Sequence, residues 1–205
     1  MEGPRTVHVD STPSTQELAR DLPIGSVVVA DHQSAGRGRL DRRWEAPAGT
    51  ALLASFVVRR HPLLSLAAGI AAAEACGDGV GLKWPNDLML DGRKAGGILV
   101  EVGEDRAIVG IGINLRSAPP GAARVDQPRD VLLEKLRVRL SAWSAADPMA
   151  VLRRWRELSV TLGRRVRVEL PDRTIMGVAE DIDNHGSLIV DGVAVSAGDV
   201  IHLRD

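Results

Sequence analysis

Val80-Gly81-Leu82-Lys83-Trp84-Pro85-Asn86-Asp87-Leu88 is the stretch on which the architecture turns. Read as a strand, it alternates faces: Leu82 and Trp84 share one, the core side, and Lys83 stands on the other beside Gly81. Without a side chain at Gly81, that face has room for a ligand. Pro85 lacks an amide proton and stops the strand, leaving Asn86 and Asp87 as polar groups at its exit. Taken alone, the stretch reads equally well as an edge strand with a protective lysine and a proline turn.

Working outward, Leu88–Leu90 and Gly97–Val102 flank Asp91-Gly92, a tight-turn pair. Gly103–Arg106 then turns the chain into Ala107–Asn114, an antiparallel partner. Upstream, the apolar run Leu63–Cys76, broken only by Ser65, Gly69 and Glu74, reads as a buried helix. Thr6–Val9, Ser26–Ala30 and Ala51–Val58 read as strands. A helix is expected from Ser14, since Ser14-x-x-Glu17 matches a capping box. Between strands lies a long polar loop, Asp31–Thr50, and such loops usually carry function. Arg116–Pro128 is Pro/Gly/Ala-rich and reads as a second loop. Leu133, Leu136, Leu140 and Trp143 repeat at helical spacing, as do Leu152, Trp155 and Leu158.

After Leu162-Gly163 the apolar period drops to two. Val166–Leu170, Thr174–Ile182, Ser187–Val190, Val193–Val195 and Val200–Leu203 read as short strands, suggesting a small SH3-like barrel. The expectation is an α+β domain over residues 1–161 followed by an all-β domain over residues 162–205.

The 205 residues carry a net charge of −1, so no basic field marks the chain for nucleic acid, and no DNA partner is expected. No apolar stretch spans a membrane and the N-terminus has no signal-peptide core, which points to the cytoplasm. Cys76 is the only cysteine and His8, His32, His61, His185 and His202 lack ligand spacing, so no protein-held metal is expected. Of 26 basic residues only Lys83, Lys94 and Lys135 are lysine. Arginine has been accepted wherever any cation serves, so two lysines retained within Lys83–Lys94 suggest a need for a compact ammonium.

Four segments carry candidate chemistry. Gln33-Ser34-Ala35-Gly36-Arg37-Gly38-Arg39-Leu40-Asp41-Arg42-Arg43-Trp44 sets four arginines against one aspartate, a local charge of +3. Glycines let backbone amides approach an anion, and arginine forks match phosphate oxygens. The motif is not a Walker loop, and the alternative is a solvated basic loop. Lys83 and Asn86 form the second segment. Gly96-Gly97 with Gly110-Ile111-Gly112-Ile113-Asn114 suggests the floor of a slot for a flat ligand, or else close packing of strand on helix. Ser14-Thr15-Gln16 offers hydroxyls and an amide to a urea-like group, or only a capped helix.

In this order the segments resemble the biotin–protein ligase family: Ser14-Thr15-Gln16; Gln33 with Gly36-Arg37-Gly38-Arg39 and Trp44; Lys83-Trp84-Pro85-Asn86-Asp87-Leu88; Arg93-Lys94-Ala95-Gly96-Gly97-Ile98-Leu99-Val100-Glu101; Gly110–Asn114. The tail, Gly177…Ile182-Asp183…Gly186…Leu188 and Ile201-His202-Leu203-Arg204, is similar to the family's C-terminal domain. The resemblance implies a biotin/lipoate ligase fold, related to class II synthetases, with a mixed sheet. It also implies two steps: biotin is activated by Mg2+-ATP to biotinyl-AMP, then transferred to a lysine of a biotin carboxyl carrier domain.

The same resemblance implies roles. Lys83 and Arg39 would be catalytic. Ser14, Thr15, Gln16, Gln33, Gly36, Arg37, Gly38, Arg39, Lys83, Gly97 and Gly112 would surround biotin, with Gly97 and Gly112 making room for its ring and chain. Arg37, Arg39, Trp44, Lys83, Asn86, Lys94 and Asn114 would face ATP, whose Mg2+ arrives with the nucleotide; Arg42 and Arg43 would add only charge. Gln16 stands where the family commonly has Asn, and nucleotide contacts are not carried onto the short Arg116–Pro128 segment. No helix-turn-helix precedes Thr6, so a repressor role is not expected, and a homodimer is left open. The competing readings are a lipoate or octanoate transferase on the same fold and a non-catalytic biotin-binding regulatory module.

Overall fold

A computed structural model describes residues 3–203, so Arg204 of the expected tail lies outside it. In chain order the elements are β1 (Thr6–Thr12), α1 (Thr15–Ala19), β2 (Val27–Gln33), β3 (Ala51–Arg59), α2 (Leu64–Cys76), β4 (Val80–Lys83), β5 (Asp87–Leu90), β6 (Arg93–Val102) and β7 (Arg106–Asn114). There follow α3 (Arg129–Trp143), α4 (Pro148–Leu158), β8 (Arg165–Glu169), β9 (Thr174–Ile182), β10 (Leu188–Val190), β11 (Val193–Val195) and β12 (Asp199–His202). Seven strands form one sheet in the order β1-β2-β3-β7-β6-β5-β4; the other five form a second, β11-β10-β9-β8-β12. Among the strands of the described residues only β1–β2 is a parallel pair, so the large sheet is mixed and the class is α+β.

The period of two sorts each central strand onto two buried faces. On β3, Leu52, Ala54, Phe56 and Val58 enter the main core, while Val57 joins Ala19, Leu22, Val28 and Ile108 beneath α1. On β7, Ala107, Val109, Ile111 and Ile113 face the main core, which leaves Gly110 and Gly112 on the other side. Each buried Leu, Ile or Phe contributes about 1.5–3 kcal/mol, so a one-residue slip of β3 or β7 would invert two packed surfaces. Asp91-Gly92 forms the expected turn, with φ of 51° and 71°.

Three local expectations need correction. The capping box does not form: Ser14 stands at the N-cap without a side-chain bond. The free Thr15 amide donates instead to Gln33 Oε1 on β2 (2.7 Å), a partner far away in sequence. On α3 the buried positions are Leu132, Leu136 and Leu140, while Leu133 and Trp143 lie partly buried at the rim. Finally, the space beside Gly81 is not open. A Cβ there would collide with the Val160 side chain, because the segment after α4 runs alongside β4. Val160 N donates to Leu82 O (2.9 Å), and Trp84 N donates to Thr161 Oγ1 (3.0 Å). That contact also covers the outer edge of β4, so Lys83 guards no free edge.

The small all-β unit packs against the N-terminal end of α2 and the exit of β4. Trp84, 2% exposed as its face predicts, donates from Nε1 to Gly186 O (3.0 Å). Arg156 of α4 makes an ion pair with Asp181 (2.6 Å). The second sheet is therefore fixed close to Lys83.

Candidate active site

A cavity opens on the glycine side of the large sheet. Of the fifteen residues expected to meet biotin or ATP, thirteen line it: Ser14, Thr15, Gln16, Gln33, Arg37, Gly38, Arg39, Trp44, Lys83, Asn86, Lys94, Gly97 and Gly112. Gly36 and Asn114 do not. Gly36 is buried where a Cβ would strike the Trp44 carbonyl, so its part is to let two backbone segments meet. Asn114 lies in a neighbouring cleft with His32, Glu45 and Ser117, and its Nδ2 donates to Ala123 O (3.1 Å), tying down the second loop.

The arginine loop is a hairpin flap. Trp44 N donates to Gly36 O (3.0 Å) and Gly38 N to Arg42 O (2.7 Å), with Leu40-Asp41 turning at φ of 55° and 57°. A primed turn of this kind suits an antiparallel ladder, so the loop has local order of its own. Three of its four arginines have polar partners on other parts of the chain. Arg37 pairs with Glu101 (2.7 Å) and Arg42 with Asp199 (2.5 Å), while Arg39 Nη1 reaches Asn86 Oδ1 (3.4 Å).

One end of the cavity is a neutral polar cluster. Thr15 Oγ1 bonds Ser55 Oγ (2.7 Å) and donates to Gln33 Oε1 (3.0 Å). Because Gln33 Oε1 already accepts two protons, its amide NH2 remains to serve the cavity. Gln16 lies across Gly110, whose missing side chain admits it, and is 4% exposed; its Oε1 is buried without a partner. A buried acceptor without a donor is costly, so this end suits a ligand that brings N–H groups.

The other end is cationic. Arg37, Arg39, Arg42, Arg43, Lys83 and Lys94 line the cavity against two carboxylates, Asp87 and Asp199. Lys94 pairs with Asp87 (2.6 Å). Lys83 and Arg39 are the half-buried cations of this set for which no ion pair forms among the described residues. Burial lowers the Arg39 pKa, opposed by Asp87 and Asp199. Two half-buried cations that pair directly with no carboxylate describe an anion site.

Trp44 lies between the two ends. Its indole covers Gly112, where an added Cβ would lie 2.6 Å from the ring, and it passes 3.4 Å from the corresponding point on Gly97. The slot over Gly112 is thus filled by Trp44, whose Nε1 is buried without a partner. With the flap down the cavity holds about 130 Å³, below the roughly 300 Å³ at which clefts for small ligands begin. The neighbouring cleft beside Asn114 holds about 660 Å³ and shares Gln33 as a wall. Admitting a large ligand to the first therefore requires the flap and Trp44 to move.

Sequence reasoning missed Ser55 and Asp199. Ser55 had a signal, a lone hydroxyl inside the apolar run Ala51–Val58. Asp199 had none, because the second sheet brings it in from far along the chain. Cys76 is buried, and desolvation pushes its thiol up to about 12, as suits a small core residue.

Comparison with known proteins agrees with this geometry. Residues 7–116 match the model of the biotin/lipoate A/B protein ligase family, and residues 161–203 match that of the biotin protein ligase C-terminal domain. The chain is 39% identical to a biotin–[acetyl-CoA-carboxylase] ligase of Mycobacterium tuberculosis, over 88% of this chain and 80% of that one. It is 32% identical to one from Paracoccus denitrificans, over 87% and 89% respectively. A biotin protein ligase from Aquifex aeolicus, solved with biotin and ATP, superposes with a TM-score of 0.84 over 98% of this chain and 99% of that one, at 26% identity. The chain therefore belongs to the biotin/lipoate A/B protein ligase family.

Proposed function

We propose that this protein is an ATP-dependent biotin–protein ligase acting on a biotin carboxyl carrier domain in the cytoplasm. The observation that carries the reading is the pairing, in one cavity, of a neutral polar end with two half-buried cations that make no ion pair among the described residues. Biotin has the matching polarity, with a ureido ring at one end and a carboxylate at the other. The ring is assigned to Ser14, Thr15, Gln16, Gln33 and Ser55. Arg37, Gly38, Gly97 and the backbone floor flank the chain, and the carboxylate meets Lys83.

In the first step a biotin carboxylate oxygen bonds to the α-phosphorus of ATP as the bond to pyrophosphate breaks, giving biotinyl-AMP. Lys83 and Arg39 offset the repulsion between the two anions and the charge that grows in the transition state. Trp44, Asn86 and Lys94 are assigned to the nucleotide, and Asn114 acts on it through the loop that it ties down. In the second step the carrier's lysine attacks the acyl carbon, AMP leaves, and the amine loses a proton to solvent or AMP. The flap keeps water from the reactive anhydride. Both cavity carboxylates already hold cations, which suits Mg2+ brought by phosphates better than a dedicated protein cage. Residues 1–161 are assigned to the catalytic domain and 162–205 to a C-terminal domain that supports it.

The test is transfer of labelled biotin, beside labelled lipoate and octanoate, to a carrier domain with and without ATP. ATP-dependent transfer of biotin alone is expected. Transfer of lipoate or octanoate in its place, or biotin binding without transfer, would overturn the reading.

A further inference from the structure

The second sheet reaches into the cavity. Gly198 and Asp199, where β12 begins, contribute to its wall. Asp199 accepts from both terminal nitrogens of Arg42: Nη2 to Oδ2 at 2.5 Å and Nη1 to Oδ1 at 3.4 Å. A forked contact of this kind fixes direction as well as distance. Arg42 is on the returning arm of the flap, directly after the Leu40-Asp41 turn, so the contact ties the flap's tip to the other sheet. Asp199 itself sits on a firm base, since β12 pairs with β8 from Asp199 to His202. His202 in the same strand bonds Thr161 (3.2 Å), the residue that holds the Trp84 amide. Burial acts to raise the Asp199 pKa, but the bond from Arg42 and the charges of Arg42, Lys83 and Lys94 outweigh it and hold the carboxylate below its ordinary range.

We infer that Asp199 is a positioning residue of the ligation site: through Arg42 it latches the flap over the cavity, so the second sheet sets how long the activated acyl group is shielded. Arg37–Glu101 and Arg39–Asn86 also hold the flap, but Glu101 lies on β6 and Asn86 in the turn between β4 and β5, both within the larger unit. The Arg42 contact is the one that makes the flap answer to the C-terminal unit. The shielding role rests on the ligase reading; the latch does not.

Thermolysin cleavage at Leu40, 59% exposed at the flap's turn, tests the latch without substrate, because the protease needs an opened, extended segment. Asp199→Asn and Arg42→Gln are each expected to speed cleavage about two- to fivefold, the range for one partly exposed ion pair. The double variant is expected to match either single one. Effects that multiply, or an Asp199→Asn rate equal to that of the parent, would overturn the latch. A second readout uses salt, with rates normalised to an unstructured peptide bearing the same site. Parent cleavage is expected to rise between 0.05 and 0.5 M KCl, on the order of screening a charge pair, while Arg42→Gln stays flat. Parallel salt curves would also overturn it. With biotin and ATP, Asp199→Asn is expected to lose biotinyl-AMP to solvent several-fold faster, counted per intermediate formed. Intermediate retained as long as in the parent would remove the shielding role. A parent protein that transferred no biotin would refute the ligase reading and leave the cleavage test standing.

Discussion

Gly97 and Gly112 lie opposite each other on neighbouring strands, yet the structure expects very different results from adding one methyl group to each. At Gly112 the new carbon would lie 2.6, 2.9 and 2.9 Å from three atoms of the Trp44 ring. Ordinary carbon contacts begin near 3.5 Å, so something must move by close to 1 Å. The backbone cannot, since β7 is locked between β3 and β6 on both edges. Trp44 must therefore lift, and it is carried by the flap, whose hold on the sheets is a few partly exposed polar contacts. Overpacking typically costs about 1–3 kcal/mol; here it falls mainly on the closed state of the flap, weakening closure on the order of ten- to a hundredfold and global stability much less. At Gly97 the nearest atoms are Trp44 Cζ3 at 3.4 Å and the flexible end of Lys94 at 3.6 Å, so Gly97→Ala is expected to stay within about threefold of the parent. The assay is ATP affinity from adenylate formation, read beside Trp fluorescence and the urea midpoint. Gly112→Ala is expected to raise the ATP requirement at least tenfold with a small shift in midpoint. In a Trp44→Ala background the same change is expected to cost little. Equal effects at the two glycines, or a full Gly112→Ala penalty without Trp44, would refute the argument.

Three other outcomes follow from the same contacts. Lys83→Arg keeps the charge but spreads it over a planar fork in a half-buried position, so pyrophosphate release is expected to fall by about 10²–10³ with folding intact; a near-normal rate would remove Lys83 from the chemistry. Glu74 receives Arg139 (2.8 Å), Arg154 (2.9 Å) and Trp143 Nε1 (3.1 Å), which outweigh the upward pull of burial and leave its pKa low. Its contribution is present above the unfolded pKa and lost as pH falls, so Glu74→Gln is expected to cost about 1–2 kcal/mol at pH 7 in urea titration and nearly nothing at pH 3, with biotin transfer per folded molecule unchanged. Burial, then the charges of Lys83 and Arg164, pushes His202 down to about 4. The unfolded chain binds that proton near pH 6.5, so stability is full above about 6.5 and falls as pH drops toward 4. Discounted for solvent screening the loss is about 1 kcal/mol, and His202→Gln is expected to flatten that part of the profile; an unchanged slope would show that His202 does not titrate there.

Much of the fold was legible because the apolar period is clear wherever two buried faces alternate. β3, β7 and the β5–β6 turn at Asp91-Gly92 lie within a residue or two of their expected positions. The misreadings share one cause, contacts between residues remote in sequence. Thr15 takes its cap from Gln33, Gly81 is open to Val160 and not to a ligand, and Gly112 is open to Trp44. A glycine in a strand announces that something approaches closely, but the sequence does not say what. The arginine loop was read as an unrelieved cluster of charge for the same reason, since Glu101, Asn86 and Asp199 come from three separate places.

Scarcity of lysine was a better guide than any single motif, and its one exception shows why. Lys83 and Lys94 both line the cavity, whereas Lys135 bonds Gln127 at an exposed site of α3 (2.9 Å). Two of three thus fall where a compact ammonium has a use, and the two uses differ. Lys94 is half-exposed and paired with Asp87 at 2.6 Å, a contact a guanidinium could also make. Lys83 makes no ion pair among the described residues and points from a strand end into a space shared with Arg39. A second guanidinium there would bring two bulky planar cations into a cavity of about 130 Å³, and both nearby carboxylates, Asp87 and Asp199, already pair with other cations. Physical necessity for lysine is therefore strongest at Lys83, weaker at Lys94 and absent at Lys135, an order that substitution by arginine at each position, read by adenylate formation, is expected to reproduce.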